Sequence, residues 1–95
     1  MAESRQELLR QADEKELLAQ RFVNYAKGLA PYFTGADRAM SGGRTWTGPA
    51  AERYAAAARM RRSELRDLEE DCHRAAANLR RTAAELRERA DHAPD

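Results

Sequence analysis

The residues best able to do chemistry are few, and their spacing works against it. Cys72 and His73 are the only cysteine next to one of two histidines, but neighbours on a helix diverge by about 100° and cannot meet on one metal ion within a chain. Cys72 instead fits a small, buried apolar position. His92 has no cysteine or carboxylate at ligand spacing and suits a solvated tail. Glu69-Glu70-Asp71, flanked by Arg66 and Arg74, has the spacing of exposed i,i+3 and i,i+4 ion pairs rather than of a catalytic carboxylate pair in a cleft. Arg59, Arg61 and Arg62 form a basic cluster that Glu64 and Asp67 dilute, without the stacking aromatics of a nucleic-acid surface. No nucleophile has an evident base and no glycine loop follows a strand. The sequence therefore predicts no enzyme, no cofactor, no metal and no nucleic-acid partner.

The elements that carry these residues are long helices. Ninety-five residues with 17 basic and 16 acidic side chains have room for one domain and little net field. Ala, Leu, Arg and Glu dominate, as in long surface-exposed helices, and arginine well in excess of lysine with abundant alanine is what a GC-rich genome tends to produce. Positions 8, 12, 15, 19, 22, 26, 29, 33, 36 and 40 read Leu, Ala, Lys, Ala, Phe, Ala, Leu, Phe, Ala and Met, a seam of alternating four and three that predicts a first helix over about 4–40. Ser4 with Glu7 predicts a capping box at its start. Gly28 and Pro31 predict a kink, or a break, because proline removes the hydrogen bond to the carbonyl of Lys27. Residues 41–48 predict a reversal, and Pro49 with Glu52 suits the first turn of a second helix over about 49–90. Its seam is read at 51, 54, 58, 61, 65, 68, 72, 75, 79, 82 and 86, with Arg61 and Thr82 as polar interruptions. The tail from Asp91 is expected to fray.

Leu9, Leu18, Val23, Tyr25 and Tyr32 widen the apolar face of the first helix beyond a two-stranded seam. The expected architecture is all-α, an antiparallel two-helix hairpin that pairs with a second hairpin in a four-helix bundle. The expected partner interface is Leu8, Ala12, Ala19, Phe22, Ala26, Leu29, Phe33, Ala58, Leu65, Leu68, Cys72, Leu79 and Leu86. A chain this short buries a modest fraction of its surface alone, which favours association. No stretch has the form of a signal peptide or a bilayer span.

Trp46, Gly48, Pro49 and Tyr54 form the motif at the reversal. An indole there has apolar surface to bury, and Gly48 allows close backbone approach or a φ that other residues avoid. Trp46-Thr47-Gly48 at the turn between two helices, followed by Pro49-Ala50-Ala51 and Tyr54, resembles the WXG family, small helical hairpins related to the early secreted antigenic target proteins of type VII secretion. The resemblance covers the whole chain in architecture and residues 46–54 in detail. It implies a type VII substrate or co-secreted escort, made in the cytoplasm and exported as a dimer, with Trp46 plugging the helix ends or lining a cleft that a secretion component reads. It also implies a tail signal, a tyrosine followed four positions later by an acidic residue, which none of Tyr25, Tyr32 and Tyr54 satisfies. That departure points to a partner carrying the signal, either a second WXG-like hairpin or the helical N-terminal part of a larger cargo, with a homodimer as the alternative. The competing reading is a cytoplasmic structural or regulatory helical module unrelated to secretion.

Overall fold

The computed structural model describes residues 3–41 and 47–94. It is all-helical, with α1 over Arg5–Lys27, α2 over Ala30–Ser41 and α3 over Pro49–Asp91, and no strand among the described residues. Trp46, the centre of the turn motif, lies outside the described residues.

Local chemistry sets the helix ends. Ser4 caps α1: its Oγ accepts from the Glu7 N–H at 3.2 Å, and its carbonyl accepts from Leu8 at 3.0 Å. The capping box is half made, because the Glu7 carboxylate turns forward to Arg10 and Gln11 rather than back to Ser4. The first predicted helix is interrupted at Gly28–Leu29. Pro31 has no N–H for the Lys27 carbonyl, so α1 stops there, and the Leu29 N–H closes a tight turn onto Ala26 at 3.1 Å. The Leu29 carbonyl then accepts from Tyr32 and Phe33 at 2.9 and 3.1 Å, which places Pro31 in the first turn of α2, where its missing donor costs little. Pro49 opens α3 as predicted, and Gly48 supplies the carbonyl for the first bond, from Glu52 at 3.0 Å. After α3, His92 and Ala93 donate to the carbonyls of Arg89 and Ala90, both at 3.2 Å.

The chain packs as two compact units. The first combines residues 1–25 with 72–95. Its core is Leu8, Ala12, Ala83, Leu86 and Ala90, with Ala93 packed against it. Residue numbers rise along α1 as they fall along α3: Arg5 donates to the Pro94 carbonyl at 3.5 Å, Arg87 reaches Asp13 and Glu16 at 3.2 and 3.1 Å, and Arg80 reaches Gln20 at 3.4 Å. The second unit, Ala26–Asp71, buries Ala26, Leu29, Ala36, Ala51 and Ala58. There Arg62 bonds Asp37 at 2.8 Å and lays its guanidinium over the Phe33 ring, 5.6 Å from the centroid.

The seam predicted for the first helix faces inward at all ten positions, with Lys15, Phe22, Phe33 and Met40 half-buried and the other six buried. The seam predicted for the second helix is displaced at alternate positions. Residues 51, 58, 65, 72, 79 and 86 face inward, but between them the inward positions are Ala55, Arg62, Glu69, Ala76 and Ala83, each one residue later than predicted. Tyr54, Arg61, Leu68 and Thr82 are exposed and Ala75 is half-buried. The reason is steric. Facing helices approach as closely as their contact side chains allow, and Ala55, Ala76 and Ala83 admit a closer contact at their positions than Tyr54 and Leu68 would at theirs.

Candidate functional site

No large side chain among the described residues is fully buried, and none of the buried residues is polar or charged. Such a thin alanine-rich seam leaves several of the larger apolar side chains outside it. In the first unit Leu18 and Tyr25, seven residues apart and so on one helix face, are 40% and 57% exposed. In the second unit Tyr32, Tyr54 and Leu68 remain exposed around an open groove of about 540 Å³ between α2 and α3.

The groove follows from the sequence of both helices. On α2, Pro31, Gly35 and Ala39 are spaced by four and present little side chain, which makes the floor low beside Tyr32. On α3, Tyr54, Arg61 and Leu68 recur every seventh residue, the row displaced from the inward seam, and Glu64 and Leu65 lie beside them. Arg61 and Glu64 are one turn apart, yet neither has an ion-pair or hydrogen-bond partner among the described residues. Apolar walls with two unpaired opposite charges suit a surface that another helix could cover. No three His, Cys, Asp or Glu side chains among the described residues converge as a metal site would require.

Of the residues expected at a partner interface, Leu8, Ala12, Ala19, Ala26, Leu29, Ala58, Cys72 and Leu86 are buried by the chain's own helices. Phe22, Phe33, Leu65 and Leu79 are half-buried, and Leu68 is exposed. Periodicity found apolar positions without distinguishing those used inside the chain from those left outside. It overlooked Arg62, whose place opposite Phe33 and Asp37 is not visible in spacing alone. Arg61, read as a seam residue, instead lines the groove.

Within the turn motif, Gly48 has φ of +110°, and a Cβ built there would meet nothing within 4 Å. Its requirement is therefore conformational, not a close backbone approach. Pro49 and Tyr54 lie on the first turns of α3 and are exposed.

At the start of α1, Arg10 and Gln11 hold the Glu7 carboxyl below its ordinary value, Arg10 being the larger influence. Hydrogen bonds donated to Glu16 and, next in size, to Asp13 raise Arg87, a fixed cation joining α1 to α3 in the first unit. No described helix is long and apolar enough to cross a membrane. Compared with protein-family models, with characterised proteins and with solved structures, the chain gives no match.

Proposed function

We propose that this chain is a helix-pairing module of the WXG type, an antiparallel hairpin that completes a four-helix bundle with a second helical hairpin and serves type VII secretion as substrate or escort. The observation that carries the pairing is the division of apolar surface: the buried seam is mostly alanine, while Tyr32, Tyr54 and Leu68 stay outside around a groove bordered by Arg61 and Glu64, which have no ion-pair or hydrogen-bond partner among the described residues. The secretion assignment rests on Trp46-Thr47-Gly48 followed by Pro49 and Tyr54. It is supported by the left-handed Gly48 at the start of α3, a backbone that other residues adopt only with strain.

A helical interaction module inside the cell is the second reading, because the exposed row on α3 needs no contribution from Trp46. Detection of the chain in the culture medium of its source organism, with and without the type VII translocation ATPase, separates the two. Release that depends on the ATPase and is lost in Trp46→Ala supports the secretion reading. Retention in the cells of both strains removes it and leaves the intracellular module.

A further inference from the structure

Arg59, Arg62 and Arg66 are spaced by three and four, and so share one face of α3; no other set of three arginines in that helix has this spacing. With Ser63 and Met40 they line a small cavity of about 130 Å³ in the second unit. The basic cluster expected from the sequence is thereby re-sorted. Arg61 and the acidic Glu64 border the apolar groove instead, and Arg66 joins Arg59 and Arg62 in place of Arg61. Asp67 and Glu70 are near Arg66 along the helix but lie outside the cavity lining. Arg62 is held in position, since its Nε donates to Asp37 at 2.8 Å and its guanidinium lies over the Phe33 ring. The bond to Asp37 occupies one of several N–H donors on that guanidinium. Arg59 and Arg66 have no partner among the described residues. The Ser63 hydroxyl is equally unengaged, whereas those of Thr34 and Thr82 donate to carbonyls four residues back in their own helices.

We propose that this cavity binds the phosphate group of a phosphate monoester, a ligand site independent of helix pairing. Charge, donor number and size select this group. Asp37 offsets one of the three guanidinium charges, and a phosphate monoester brings about 1.5 to 2 negative charges near neutral pH against the two that remain. A carboxylate has two oxygens, which a single forked guanidinium satisfies. Three guanidiniums and a hydroxyl supply more donors than that, and the three terminal oxygens of a phosphate monoester can take them. Half-buried Met40 gives the cavity an apolar wall, beside which charge-assisted hydrogen bonds are stronger than in open water. The cavity is small and its described lining holds no aromatic side chain on which a base would stack, so the phosphate is the part recognised and the rest of the ligand stays outside.

The test is titration of the full chain with inorganic phosphate, against chloride at equal ionic strength, followed by NMR of the arginine Nε–H and backbone amide signals. Saturable shifts are expected at Arg59, Arg62, Ser63 and Arg66 with phosphate and not with chloride. The dissociation constant should weaken at least about tenfold in Arg59→Gln and in Arg66→Gln, each of which removes a charge-assisted hydrogen bond. Both side chains are exposed and without partners among the described residues, so helicity by circular dichroism should match wild type. Arg53→Gln removes the same charge from an exposed position elsewhere on α3 and should leave binding unchanged. Shifts that fail to saturate, that spread over the arginines generally or that chloride reproduces overturn the inference, as does an equal loss in Arg53→Gln. Sedimentation with phosphatidylcholine vesicles, with and without phosphatidic acid, then separates the two sources of the group. Pelleting that requires phosphatidic acid, is competed by inorganic phosphate and is lost in R59Q/R66Q assigns a lipid headgroup. Saturable phosphate binding without such pelleting assigns a soluble ester.

Discussion

The register of α3 is open to a direct test at two adjacent residues. Ala83 is fully buried in the core with Leu8, Ala12, Leu86 and Ala90, whereas Thr82 is exposed and its hydroxyl donates to the Asn78 carbonyl at 3.1 Å within the same helix. Ala83→Leu adds three carbons where there is no space, and overpacking of this kind costs about 1–3 kcal/mol. Thr82→Leu adds apolar surface facing solvent, with an expected change within about 0.5 kcal/mol. For a chain of this size each kcal/mol moves the melting midpoint by roughly 4–8 °C. Thermal unfolding followed by circular dichroism, at one fixed protein concentration because association shifts apparent stability, should therefore separate the two variants clearly. If Thr82→Leu melts well below wild type while Ala83→Leu does not, the inward row contains residue 82 and the packing described for the first unit is wrong.

Other expectations follow from particular contacts. Leu8→Ala, at a leucine with 3% exposure, should cost about 2–5 kcal/mol by denaturant unfolding. Gly48→Ala should destabilise the start of α3 by about 1–3 kcal/mol through backbone strain, measurable as lowered stability with no new steric contact. The lowered Glu7 carboxyl contributes stability above its unfolded pKa, and that contribution disappears as the pH falls through the lower folded value. A carboxyl NMR titration should find Glu7 below the ordinary glutamate range and moving upward in Arg10→Ala. An unchanged midpoint in that variant would remove Arg10 as the cause.

Helix type and helix ends were legible because they depend on local chemistry. Ser4, Pro49 and the Gly28–Pro31 interruption each act within one turn, so spacing alone located them. The register of α3 was harder to read because residues 54, 61 and 68 are Tyr, Arg and Leu whereas 55, 62 and 69 are Ala, Arg and Glu. By hydrophobicity the first row is the better seam. By volume the second is, since Ala55 and Glu69 are smaller than Tyr54 and Leu68, which stay outside. Arg62 shows the same limit: its stacking on Phe33 and its bond to Asp37 join residues 25 or more apart, and no periodicity encodes them. Nor did spacing show that Leu8, Ala12 and Leu86, expected to meet a partner, are buried within the chain, or that Arg61 lies beside the groove.

How this chain works depends on whether the surface left outside the alanine seam is a pairing surface. The most direct measurement is the solution mass of the purified chain across a wide concentration range, alone and mixed with the product of any adjacent helical reading frame. The expected result is a mass above the 10.7 kDa of one chain, in a complex whose melting temperature rises with concentration. A well-folded 10.7 kDa monomer under every condition, with a melting temperature independent of concentration and of added helical protein, would contradict it.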